Sequence, residues 1–133
     1  MSAASPTLLS SVQENAYRFA LQIHTLDALA KTYIGQHVAI TTQMLDLEQL
    51  GVIHAAPYFH WQKYLYLIYP MKGGKRKRVY VGSDRAKIAE AEAAIERGKE
   101  YLVFAQQLHL VERQLANLAE ELDLFVFNIK ETS

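Results

Sequence analysis

From Tyr101 to Phe125 the apolar residues keep a strict beat. Tyr101, Phe104, Leu108, Val111, Leu115, Leu118, Leu122 and Phe125 follow one another at steps of three and four. Such a heptad seam commits the segment to an α-helix with one apolar edge that has to be covered. The pattern thins towards the N-terminus of the segment, through Ile88, Ala91, Ile95 and Leu102, with Gly98 among them. One helix over about Arg85–Leu122 is predicted, with Ser83 or Asp84 as its N-cap. Gly98, which costs about 1 kcal/mol in a helix interior, marks a kink or a close crossing. Leu124–Ile129 alternates, as a short strand or a frayed helix end would. A helix of nearly 40 residues spans about 55 Å, longer than a domain of this size is wide. A homodimer is therefore expected, with Tyr101, Phe104, Leu108, Val111, Leu115, Leu118 and Leu122 as the dimerisation residues.

The first third is also helical in pattern. Val12, Ala16, Phe19, Ile23, Leu26, Ala30 and Tyr33 share one face. No breaker stands at His24-Thr25, so this stretch reads as one helix or as two. Gly35 is taken as the break before a further helix, Val38 to Leu50, which carries Ile40, Met44, Leu45, Leu47 and Leu50 and ends at Gly51 as a C-cap glycine. Residues 1–7 read as a disordered tail.

Between the helical parts lies YLYLIYPMKGGKRKRVYVG, Tyr64–Gly82. Gly73-Gly74 can take positive φ without steric cost and is a hairpin turn signal. The flanking strands are expected at about Phe59–Tyr69 and Lys75–Val81. On the first of these, Tyr64, Tyr66 and Ile68 share one face and Leu65, Leu67 and Tyr69 the other. One row is core. The other packs on a helix or is free to stack on bases.

Charge separates sharply along the chain. Residues 60–87 hold eight cations (Lys63, Lys72, Lys75, Arg76, Lys77, Arg78, Arg85 and Lys87) against Asp84 alone, while the remainder holds six cations and thirteen anions. The overall net charge of zero hides this local excess. An anionic partner fits it; a solvated edge strand kept from aggregating by its lysines is the competing reading.

Catalytic and metal-binding patterns are not found. The chain has no cysteine, which removes thiolate zinc sites, disulfides and thiol catalysis. Its five histidines show no HExxH spacing, and GxSxG, P-loop and GxGxxG motifs are missing. Glu92, Glu96 and Glu100 form a stripe that reads as a solvated helix face partly paired with Arg97 and Lys99. The expectation is a protein that is not an enzyme, without cofactor or metal. No signal peptide or membrane helix is read, and a cytoplasmic location is expected.

Thr25–Ile53, TLDALAKTYIGQHVAITTQMLDLEQLGVI, followed by the hairpin, resembles a winged helix-turn-helix DNA-binding domain. The ending LEQLGVI is similar to that of recognition helices in winged-helix regulators. The resemblance implies a supporting helix at Val12–His24, a second at Leu26–Tyr33 capped by Thr25, a turn at Ile34–His37, a recognition helix at Val38–Leu50 and a wing at Tyr64–Val81. It further implies that Thr41, Thr42 and Gln43 face base edges or phosphates, and that Lys63, Lys72, Lys75, Arg76, Lys77, Arg78, Arg85 and Lys87 hold the backbone of duplex DNA. The hairpin with its following helix also resembles small proteins of plasmids and mobile elements through YLYLIY and GGKRKRVYVG, a likeness that implies no activity.

The expected fold is mainly α with a β-hairpin (α+β): a winged-helix-like domain over 8–83, then a heptad helix over 84–133 for dimerisation or partner packing. The expected function is a DNA-binding transcription regulator or accessory factor. A protein-interaction or inhibitor module docking on an acidic protein surface is the alternative, and a binder of single-stranded nucleic acid a third reading.

Overall fold

The computed structural model describes the backbone of residues 4–132 and the side chains of residues 10–131. Ala4–Leu50 is one helix, α1. The segment expected as a tail thus becomes helical at Ala4, and residues 1–3 lie outside the described residues. The helix-turn-helix expected over Thr25–Leu50 is corrected here. Ile34–His37 is helical, and Val38–Leu50 is the last part of α1 rather than a separate recognition helix. Thr25 does not cap a helix: its hydroxyl donates to the Leu21 carbonyl one turn back, at 2.8 Å.

The cause lies in the heptad. The seam of Val12–Tyr33 continues at the same steps through His37, Ile40, Met44 and Leu47. From Leu26 onward every one of these positions is half-buried. Gly35 points outward with open space around it, so its cost of about 1 kcal/mol is absorbed by the packed edge behind it. At the far end Gly51 takes φ 97°. Its N–H donates to the carbonyls of Leu47 (3.0 Å) and Glu48 (3.1 Å), which ends the helix as expected.

Three strands follow: β1 (Ala56–His60), β2 (Tyr64–Ile68) and β3 (Arg78–Gly82). They form one antiparallel sheet in the order β1-β2-β3. The strand expected over Phe59–Tyr69 is in fact two. Trp61 and Gln62 both take positive φ, 53° and 58°, and Lys63 N–H returns to the His60 carbonyl at 3.2 Å. Neither residue is of the kind that usually fills such a turn, which is why the sequence did not announce it. The second turn is where it was expected. Gly73 and Gly74 have φ 60° and 77°. Lys72 and Lys75 exchange backbone hydrogen bonds of 2.8 and 3.2 Å across them.

The last helix, α2, runs Arg85–Thr132. Asp84 caps it: a side-chain oxygen accepts from Ala86 N–H at 2.9 Å, and its carbonyl from Ile88 N–H at 2.9 Å. Leu124–Ile129 is helical, which removes the strand alternative. The fold is mainly helical with a small antiparallel sheet. No helix among the described residues is long and apolar enough to cross a membrane.

Two compact units divide the chain, and the division cuts across both helices. The first unites the described residues up to Val38 with those from Val111 onward. Here α1 and α2 segments run antiparallel, with the Phe19 and Phe125 rings 5.4 Å apart and His37 Nε2 3.5 Å from a Glu112 carboxylate oxygen. The second unit, Ala39–Leu110, holds the sheet. Its core is Leu65 and Leu67 of β2 with Ala91, Ala94 and Ile95 of α2, all buried. The heptad seam of α2 therefore has partners within the chain. Val111 is buried, and Tyr101, Phe104, Leu108, Leu115 and Leu118 are half-buried, while Leu122 stays exposed. The seam expected to dimerise is thus covered in part by the chain itself.

The crossing signalled by Gly98 is with the connector rather than with a helix. Ile53 N–H donates to the Ala94 carbonyl at 3.0 Å. A Cβ on Gly98 would overlap the Ile53 carbonyl oxygen and sit 3.1 Å from its carbon. The preceding residue, Arg97, finishes α1. Its Nε donates to the Gly51 carbonyl at 2.7 Å and its Nη2 to the Leu50 carbonyl at 3.1 Å. A cation on these carbonyls answers the negative end of the helix dipole.

Candidate nucleic-acid interface

The segment Ala56–Gly82 carries Lys63, Lys72, Lys75, Arg76, Lys77 and Arg78 and no carboxylate. Nothing in the sheet can neutralise its own charge. None of the six is ion-paired among the described residues; the ion pairs found lie in the helices. All six are exposed.

Topology brings four of them together. The Gly73-Gly74 turn folds Lys75 back beside Lys72, and the strand pairing continues with Tyr69 N–H to the Lys77 carbonyl at 2.9 Å. Lys72, Lys75, Arg76 and Lys77 then line one open groove of about 870 Å³ with Ile53, His54, Tyr69 and Met71. Lys77 Nζ lies 5.5 Å from the centre of the Tyr69 ring, a cation–π contact that steers the ammonium without discharging it.

The remaining expected residues lie elsewhere. Lys63 sits in the other turn, beyond the opposite end of β2, with its Nζ 5.4 Å from the Tyr64 ring. Arg78 opens β3 on the face away from the core. Arg85 and Lys87 occupy the first turn of α2, exposed, where the helix dipole disfavours cations. Thr41, Thr42 and Gln43 lie inside α1, with Thr41 half-buried; they do not open a helix as a recognition element requires.

Register settles which β2 row is core. Leu65 and Leu67 face α2; Tyr64, Tyr66 and Ile68 face out. On that outer face Tyr58 of β1 stands opposite Tyr66, and Tyr66 opposite Tyr80 of β3. The Tyr66 and Tyr80 rings are 5.0 Å apart. Sequence reasoning weighed Tyr64 and Tyr66 but not the alignment with Tyr58 and Tyr80. That alignment depends on the Trp61-Gln62 turn, which sets the β1–β2 register. Trp61 itself is 79% exposed, its ring 4.4 Å from that of His60.

Of the acidic stripe of α2, Glu96 is reached by Lys99 at 3.0 Å, while Arg97 reaches Glu90, outside the stripe, at 3.1 Å. No group of three or more potential ligands for a metal ion occurs among the described residues.

Fold and site together define a helical protein that displays a small, acid-free, cationic and aromatic sheet. No protein-family model matches the chain, and neither the curated proteins nor the solved structures provide a match.

Proposed function

We propose that this protein is a non-enzymatic nucleic-acid-binding factor, regulatory or accessory in role, that grips phosphates with the β2–β3 hairpin. The observation carrying this reading is the sheet segment Ala56–Gly82, with six cations and no carboxylate. The hairpin tip concentrates them where a phosphate backbone can reach, and charge of one sign in a groove raises the local concentration of an anion. Duplex recognition by Thr41, Thr42 and Gln43 loses its support, because a continuous α1 offers no helix start there. The phosphate grip does not depend on them.

The test is binding of labelled oligonucleotides by fluorescence anisotropy at 50 and 200 mM salt. With about six phosphates neutralised on a single strand, the slope of log affinity against log salt is about −4, a loss of ~300-fold over that range. Replacing Lys75, Arg76, Lys77 and Arg78 by alanine flattens the slope by about 3. Binding untouched by that replacement, or no binding at low salt, refutes the assignment.

A second reading, a protein-interaction module, draws on a different observation. In the first unit Val12, Tyr17, Leu21, Ile34 and Val38 of α1 are exposed. Light scattering on the full chain separates a monomer from an assembly built on those faces.

A further inference from the structure

We propose that the outer face of the sheet is a base-stacking platform, so that the nucleic acid held by the hairpin is single-stranded. This rests on the phosphate-binding reading above and names the ligand of the same site.

Three observations converge. First, Tyr58, Tyr66 and Tyr80 stand side by side across all three strands. Tyr58 is 48% and Tyr80 56% exposed, so two of these large rings are left open to solvent. At a strand spacing of about 4.8 Å the row covers about 10 Å, room for two or three bases. Second, Trp61 is held outward on a turn whose two residues take a left-handed backbone that non-glycine residues seldom adopt. A large ring displayed at such a turn extends the stacking surface past the end of the strands. Third, the cations frame the face. Arg78 lies beside Tyr80 on β3, opposite Ile68, and Lys63 flanks Tyr64 at the other end. No acid occurs between Glu48 and Asp84. Rings for bases with cations for the backbone are the two components of a single-strand site. Paired bases in a duplex hide the faces that these rings would meet.

The competing explanation is that the row is a cross-strand ladder that only stabilises the sheet. Four fluorescein-labelled 15-mers separate the two: oligo(dT), oligo(rU), a fully abasic strand with the same backbone, and a duplex. Anisotropy is read at one low salt concentration. The expected result is that oligo(dT) or oligo(rU), or both, bind at least about tenfold tighter than the abasic strand and the duplex; the difference between the first two gives the preferred sugar. The only tryptophan, Trp61, is quenched by the base-bearing strand and not by the abasic one. Tyr58→Leu and Tyr80→Leu each lower single-strand affinity by about 5- to 100-fold and leave abasic binding within about twofold, while Tyr80→Phe keeps it. Equal affinity of the wild-type protein for base-bearing and abasic strands overturns the platform and leaves the phosphate grip standing. So does a pair of folded Leu variants with unchanged affinity. Failure to bind any of the four removes both.

Discussion

Two helical glycines respond oppositely to the same substitution, and the contrast tests the fold at two points. In an ordinary helix interior Gly→Ala stabilises by about 1 kcal/mol. Gly35 lies exposed in α1 with nothing near its missing Cβ, so Gly35→Ala should gain that amount. Gly98 lies buried in α2 against the Ile53 backbone. There the same gain of about 1 kcal/mol is outweighed. Forcing a methyl against main chain costs about 1–3 kcal/mol, and losing the Ile53 N–H bond to the Ala94 carbonyl costs about 1 kcal/mol more. The net is a loss of about 1–3 kcal/mol. At about 4 °C per kcal/mol for a chain of this size, Gly98→Ala lowers Tm by about 4–12 °C and Gly35→Ala raises it by about 4 °C. Thermal melts followed by circular dichroism at 222 nm read both. If Gly98→Ala is as stabilising as Gly35→Ala, the connector does not cross α2 there. If Gly35→Ala destabilises, Gly35 sits in a turn and α1 is not continuous.

Other perturbations probe single contacts. Arg97→Met removes a charged cap from the Leu50 and Gly51 carbonyls and should cost about 2 kcal/mol, seen as a lower urea midpoint at unchanged slope; Glu90→Gln, which alters an exposed partner, should stay within about 0.5 kcal/mol. The Tyr101 hydroxyl donates to a Glu48 oxygen at 2.7 Å, and this bond, with lesser help from burial, raises its pKa above that of an ordinary tyrosine. The folded state therefore favours the protonated phenol. Its contribution is complete below pH of about 10 and is lost as pH rises through the higher folded value. Absorbance at 295 nm should show one late-ionising tyrosine that Tyr101→Phe removes; a titration unchanged by that substitution would refute the contact.

Features written in local chemistry were legible. Gly51 as a C-cap, Asp84 as an N-cap, Gly73-Gly74 as a turn and the α2 seam all follow from residues within a turn of one another. What escaped depended on distant context. Gly35 reads as a stop because glycine is a poor helix former, yet the seam passes it with a histidine, His37, in place of an aliphatic residue. Counting His37 as a seam position joins the two halves of α1. Trp61-Gln62 carries no turn signature, so β1 was merged with β2 and the β1–β2 pairing could not be drawn. The tyrosine row became visible only with that register. The cations of the hairpin were evident from composition, but their gathering around one groove required the backbone pairing of Lys72 with Lys75.

The lack of any carboxylate in the sheet has a thermodynamic corollary. Like charges packed at the hairpin repel one another, so added salt should firm the fold while it loosens the grip on an anion. A single acid placed among them, as in Met71→Glu in the same groove, would likewise relieve the repulsion and repel a polyanionic ligand. An acid-free hairpin is thus stability forgone, and the ligand that completes it would be expected to raise the melting temperature of the chain.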